Sequence, residues 1–249
     1  MNPERHIAGS AGTRRLGAGA MHRFEMPLLA AVPGLAHFFT AREGDPGILL
    51  RAAAGRDLPI HALRQVHGAT VRIVGAGTGA TASPPAEGDA LATRATGIAL
   101  SVRVADCVPV LLADPRSGAI AAVHAGWRGT VQGVLRETIR VLRGTLRTHP
   151  GDLQVGIGPC IGPCCFEVGE EVVDALLRFD PEAGGCVRSG ARSRMDLVEA
   201  NRRQALAEGV RPGNLGAAGL CTRCTPELAS FRRDGAGAGR TTALIAWMP

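Results

Sequence analysis

Lysine and tyrosine are both missing from this 249-residue chain, aromatics make up only 3% of it, and all 28 basic residues are arginine. Without lysine there can be no Schiff base, no pyridoxal phosphate anchor and no P-loop. Few aromatics, and arginines spread along the chain rather than clustered, argue against a nucleic-acid surface despite the net charge of +6. No stretch approaches the roughly 18 uninterrupted apolar residues of a membrane span. The first 24 residues carry Arg5, Arg14, Arg15 and Arg23 among Gly and Ala, without the apolar core of a secretory signal. The expectation is a cytoplasmic protein with a disordered tail over 1–24 and one domain over 25–249. Seven cysteines in such a chain read as metal ligands, catalytic thiols or buried residues rather than as a disulfide framework.

What is present is a mixture of strand and helix signals. Strand-like runs cover Thr70 to Val74, Gly88 to Thr93, Gly97 to Val104, Val108 to Ala113 and Ala119 to His124. Between the last two, Asp114-Pro115-Arg116-Ser117-Gly118 carries the Asp, Pro and Gly of a tight turn and predicts a hairpin. Gly75 to Gly88 is a loop rich in Gly, Ser and Pro. Apolar residues at Val131, Val134, Leu135, Thr138, Ile139 and Leu142 recur at three and four, which predicts a helix from Thr130 to Arg147. Further helices are expected from Gly169 to Arg178 and from Asp196 to Glu208, the latter closed by Gly209. Leu153 to Gly158, Leu215 to Leu220 and Thr241 to Trp247 complete the strands. Hairpins interrupt any regular βαβ alternation, so the expected fold class is α+β, a single domain with a mixed β-sheet flanked by helices.

The chemistry-bearing side chains fall where apolar runs meet Gly or Pro. His67 follows Arg64-Gln65-Val66, Cys107 ends Val104-Ala105-Asp106-Cys107, and His124 precedes Ala125-Gly126-Trp127-Arg128-Gly129. Catalytic zinc sites collect three ligands from separate elements and leave the fourth position open, and these three residues fit that description. The same atoms also suit a nucleophilic Cys107 with His124 as base and Asp106 or Asp89 as orienter. Asp89 and Asp106 read equally well as turn caps or as partners of the histidines. Arg42, Arg64, Arg128 and the group Arg232, Arg233, Arg240 are candidates for holding an anion, Arg128 foremost because it lies just before a helix. Cys160, Cys164 and Cys165, with the C-x-x-C of Cys221 and Cys224, could supply a four-thiolate zinc site. The three-residue gap and the flanking Pro159 and Pro163 instead favour small buried residues in tight loops.

Taken in order, Arg64-Gln65-Val66-His67-Gly68, Gly88-Asp89-Ala90-Leu91, Ala105-Asp106-Cys107-Val108-Pro109-Val110, Val123-His124-Ala125-Gly126-Trp127-Arg128-Gly129, Gly158-Pro159-Cys160-Ile161, Cys165-Phe166-Glu167-Val168, Asp196-Leu197 with Asn201, Cys221-Thr222 and Ser230-Phe231-Arg232-Arg233-Asp234 with Gly239-Arg240 resemble the laccase-domain family. That family is also called multicopper polyphenol oxidase or purine nucleoside phosphorylase, and it includes a peptidoglycan editing factor. The similarity runs from about Leu35 to Trp247.

The resemblance implies zinc on His67, Cys107 and His124, phosphorolysis of adenosine, inosine and methylthioadenosine, and adenosine deamination as a second activity. It carries Arg42 over as a pocket residue, although Glu43-Gly44-Asp45 departs from the usual Gly-Gly pair. Phe231 stands where many relatives have tyrosine. Copper is the alternative metal, but seven histidines in all are too few for several copper centres, and two histidines with one cysteine suit a Lewis acid better than electron transfer. The expected partners are therefore a small-molecule nucleoside and phosphate, with Arg42, Arg64, Asp106 and Arg128 around the substrate, no nucleic acid and no membrane. Nothing in the pattern specifies an oligomeric state. Two other readings stand beside this one: a hydrolase editing a misincorporated L-serine in a UDP-linked peptidoglycan precursor, and a Cys-His nucleophilic hydrolase.

Overall fold

The computed structural model describes residues 13–75 and 85–248. Most of the Gly75 to Gly88 loop and the start of the expected tail lie outside the described residues.

Two six-stranded sheets stack face to face. The first runs Arg14–Leu16, Arg23–Glu25, Leu35–Thr40, Thr241–Trp247, Ala99–Val104, Ile60–His61. The second runs Leu215–Ala217, Gln154–Ile157, Val108–Ala113, Ile120–Ala125, Ala90–Thr93, Val71–Ile73. Most neighbours are antiparallel, and parallel pairing occurs at three places: Ile60–His61 on Ala99–Val104, Val71–Ile73 on Ala90–Thr93, and Leu215–Ala217 on Gln154–Ile157. A small third sheet joins Glu167–Val168, Ser193–Met195 and Val187–Arg188. The class is α+β with mixed pairing, as expected, and the strands divide between stacked sheets.

Side chains on a strand alternate between faces, so a strand covered on both sides reads as an unbroken apolar run. Leu111, Ala113, Ile120 and Ala122 meet Leu100, Val102, Ala243 and Ile245 in the core between the two sheets. Val110, Leu112, Ala121 and Val123 face the other way, against Leu135, Ile139 and Leu142 of the Val134–Thr145 helix. On the outer face of the first sheet, Phe38, Leu244 and Ala246 pack with Leu49 and Leu50 of the Pro46–Ala54 helix. The order of layers is therefore helix, sheet, sheet, helices.

The Asp114 hairpin forms with Val108 opposite Ala125 and Pro109 opposite His124. Asp114 Oδ1 accepts the Arg116 N–H at 2.9 Å, and its backbone pairs with Ala119 and Gly118, which fixes the register. The expected helix from Thr130 to Arg147 is instead two, Trp127–Val131 and Val134–Thr145. Gly133, at φ +78°, breaks the spiral between them because a left-handed residue cannot continue a right-handed helix. The other two expected helices run Glu170–Phe179 and Leu197–Ala207, the second capped by Asp196, whose carboxylate accepts the Glu199 N–H at 3.0 Å.

A tail over the whole of 1–24 is not what the described residues show. Arg14–Leu16 pairs with Arg23–Glu25, which pairs with Leu35–Thr40, and Phe24 is buried between the sheets. The physical reason is the packing of Phe24 between the sheets and of Met21 beside Phe38 and Leu49, with Arg15 bonded to His22 and Glu227. Among the described residues no helix is long and apolar enough to cross a membrane.

Leu111 is fully buried in the layer that holds the two sheets together. Its replacement by alanine should lower the unfolding free energy by about 2–5 kcal/mol, read from urea unfolding, with the denaturant slope unchanged.

Candidate metal centre

The chain changes sheets at the site. Ala99–Val104 belongs to the first sheet and Val108–Ala113 to the second, so Ala105, Asp106 and Cys107 span the gap at one end of the stack. Asp106 makes the bend, at φ +85°. Its carboxylate is held from outside, accepting the Thr222 hydroxyl at 2.6 Å and the Arg232 N–H at 2.6 Å. Cys107 thereby stands beside the end of the hairpin's return strand, where the register has already placed His124.

His67 arrives from a loop at φ +60°. What holds that loop is Asp89, which is fully buried. Its Oδ1 accepts the His67 N–H at 2.9 Å and its Oδ2 the Gly68 N–H at 2.7 Å. The same Oδ1 lies 2.8 Å from His124 Nδ1. With Nδ1 committed to the carboxylate, Nε2 is the nitrogen left to ligate or to accept a proton.

The three ligand atoms of His67, Cys107 and His124 lie within 4.8 Å of one another, and the two imidazoles meet edge to face at a centroid distance of 4.8 Å. Access is graded: His67 is exposed, Cys107 half-buried, His124 buried. Gly126 makes room for the group, since a Cβ there would come within 3.0 Å of Cys107 Sγ and 3.1 Å of the His67 ring.

The electrostatics follow the geometry. Burial pushes the Cys107 thiol up, but hydrogen bonds from His124 and His67 outweigh it and hold the thiol down at about 7. Burial pushes His124 down, yet its bonds to Asp89 and Cys107 win and raise it to about 9. Burial also opposes ionisation of Asp89, and His124 with the Gly68 and His67 amides reverses that and lowers its pKa. A soft anionic sulfur and two imidazole nitrogens, one oriented by a carboxylate, are a donor set that could hold a metal ion of zinc's kind.

The three residues sit in a cleft of about 760 Å³ that also takes in Gln65, Asp106, Ile161, Phe166 and Phe231. Its arginines are Arg103, Arg232 and Arg240. The sequence reading favoured Arg42, Arg64 and Arg128 for the substrate, and none of these lines the cleft. Arg42 is exposed and lies 3.7 Å from Asp234; Arg64 pairs with Glu87; Arg128 stacks on Trp127 at 4.5 Å. Arg233 donates to the carbonyls of Thr222, Thr225 and Leu228 and so braces a loop. Arg103 was missed because it lies inside a strand, and only its exposure beside buried neighbours at the strand end betrays it.

Comparison with known proteins accords with the site. The sequence model of the family described as multi-copper polyphenol oxidoreductase laccase matches residues 48–248. The chain belongs to this family. It is 39% identical to the purine nucleoside phosphorylase YlmD of Geobacillus stearothermophilus over 73% of this chain and 69% of that one. It is 44% identical to a purine nucleoside phosphorylase of Bacteroides thetaiotaomicron over 61% of this chain and 58% of the other. A protein named adenosine deaminase RL5, from an unknown prokaryotic organism, is 39% identical over 61% of this chain and 60% of its own length. The crystal structure of the Geobacillus stearothermophilus YlmD superposes with a TM-score of 0.83 at 30% identity, covering 95% of this chain and 99% of that one.

In metal-free protein, alkylation of Cys107 by iodoacetamide, followed by peptide mass spectrometry, should rise through a midpoint near pH 7, because only the thiolate reacts. His124→Gln should move that midpoint upward, toward the ordinary thiol range. Asp89→Asn leaves one acceptor oxygen where two now serve four N–H groups, and should weaken zinc binding about 10- to 100-fold in a competitive chelator titration.

Proposed function

We propose that this chain is a zinc-dependent purine nucleoside phosphorylase that also deaminates adenosine. The observation that carries the reading is the convergence of His67, Cys107 and His124 within 4.8 Å in a cleft that also holds three arginines. The names of the relatives at 39% and 44% identity support the same substrates.

His67, Cys107 and His124 would hold the zinc, which when bound supplies a Lewis acid facing the cleft. Everything else is done by the chain. Asp89 keeps His124 in one tautomer and ties the His67 loop to it, so that the donor set is arranged before substrate enters. Arg103, Arg232 and Arg240 offer fixed positive charge to phosphate, whose oxygen attacks the anomeric carbon as the bond from that carbon to the base nitrogen breaks. Phe231, which is 57% exposed on the cleft wall, gives the purine a face to stack on. In deamination, water takes the place of phosphate, adds at the base carbon and displaces ammonia, with no demand on the arginines.

A second reading rests on one feature, the chain of contacts from Asp89 through His124 to Cys107, whose thiol is held at about 7. That is the arrangement of an activated cysteine nucleophile with an oriented base.

Adenosine with phosphate should yield adenine and ribose 1-phosphate, and adenosine alone should yield inosine and ammonia. Chelation should abolish both, and zinc should restore both. Full turnover in chelated protein, lost in Cys107→Ser, would overturn the metal reading in favour of the nucleophile. Arg240→Ala should raise KM for phosphate about tenfold, equivalent to about 1.4 kcal/mol of binding, and leave deamination near its original rate.

A further inference from the structure

The loop 158–166, whose Ile161 and Phe166 line the cleft, runs side by side with the loop 218–225. Cys160 and Cys221 form an isolated parallel bridge, with Cys160 N–H donating to Leu220 O and Thr222 N–H to Cys160 O. Each loop then makes a tight turn. Cys165 and Phe166 donate backbone N–H groups to Gly162 O at 2.9 Å, and Cys224 and Thr225 donate to Cys221 O at 3.1 and 3.0 Å.

These turns bring four thiols together. The sulfurs of Cys164, Cys165, Cys221 and Cys224 all lie within 4.8 Å of one another, with Cys164 to Cys224 at 3.9 Å and Cys165 to Cys224 at 3.4 Å. A tetrahedral ion with Zn–S bonds of about 2.3 Å sets its ligands about 3.8 Å apart, which is the spacing seen here, whereas a disulfide needs about 2.05 Å. The Gly162 N–H donates to Cys221 Sγ at 3.3 Å, the kind of bond that holds a thiolate ligand in place. Burial does not explain the group. The sequence favoured small buried residues, yet Cys164 and Cys224 are exposed. Cys160 and Cys186 are buried in the core, and Cys165 and Cys221 are half-buried against it, so burial accounts for at most two of the four.

We propose that Cys164, Cys165, Cys221 and Cys224 form a second metal site, a closed four-thiolate zinc site that clamps the cleft-lining loop 158–166 to the loop 218–225. Closure of all four positions by protein sulfur leaves no place for substrate, so the role is structural. Its reach to the first site is short: Thr222, inside the C-x-x-C, donates to Asp106 at 2.6 Å, and Asp106 precedes Cys107. Ile161 and Phe166, from the other clamped loop, line the cleft. Binding would release thiol protons to solvent and cross-link positions nearly 60 residues apart in sequence. The proposal does not depend on the nucleoside chemistry.

The test uses full-length protein prepared under reducing conditions, with Cys107→Ser to disable the first site. Elemental analysis should find about two zinc per wild-type chain and one in Cys107→Ser. Cobalt added to metal-free Cys107→Ser should give the intense absorption of four sulfur ligands, lost in Cys107→Ser combined with Cys164→Ser and Cys224→Ser. Should that combination fail to fold, Cys164→Ser alone, at an exposed position, must still weaken zinc binding at least tenfold against a chelating dye. In zinc-loaded protein the four thiols should resist alkylation, and zinc removal from Cys107→Ser should lower Tm. No cobalt uptake by Cys107→Ser, free alkylation of the four cysteines in the presence of zinc, or a disulfide between Cys165 and Cys224 in the reduced preparation would each overturn the site.

Discussion

One buried carboxylate organises this protein's chemistry. Asp89 accepts N–H groups from His67 and Gly68 and orients His124, so a single side chain fixes two of three candidate metal ligands in relation to each other. A carboxylate wholly out of water is unfavourable unless every lone pair is answered by a donor. Here the donors are the backbone amides of Val66, His67 and Gly68 and the His124 imidazole, and all belong to the site. Satisfying Asp89 and assembling the centre are therefore the same event. The third candidate, Cys107, is placed by another carboxylate: Asp106, bent back at φ +85° and bound to Thr222 and the Arg232 amide, turns the chain from one sheet to the next.

The two-sheet stack supplies the frame in which this is possible. A strand pair fixes register by its turn, and the Asp114 turn puts His124 across from Pro109, two residues from Cys107. His124 lies on the same strand face as Ile120 and Ala122, which look into the gap between the sheets. The end of that gap is where buried backbone gives way to a cleft, and the strand-end Arg103, Arg232 of the short helix Phe231–Asp234 and the loop residue Arg240 line it. Positive charge thus gathers next to a thiol held down at about 7 and an imidazole held up at about 9, each stabilised by the other.

Much of the fold was legible from local pattern. The hairpin, the strands around it and the Asp196-capped helix follow from turn chemistry, apolar runs and a capping residue, because each depends on neighbours in sequence. The break at Gly133 was not read, since the apolar periodicity continues through it and only the left-handed backbone interrupts it. The strand at Arg14–Leu16 is not legible in the sequence, because a three-residue edge strand with two arginines carries almost no apolar signal. His67, Cys107 and His124 were legible as residue types at run ends. Which arginines face the cleft was not: Arg42, Arg64 and Arg128 sit in suggestive local contexts, yet each is committed to Asp234, Glu87 or Trp127.

The amino-acid sequence determined which chemistry was available: no lysine nucleophile, seven cysteines, seven histidines, and three of these at the points where apolar runs stop. It also set the hairpin and the helices, whose hydrogen bonds are local. The tertiary structure alone decided that His67 and His124 share Asp89, that Arg103, Arg232 and Arg240 face the cleft, and that four cysteines from two distant turns meet at the surface. Those relations join residues dozens of positions apart, and their geometry is fixed only when the sheets stack and the chain crosses between them.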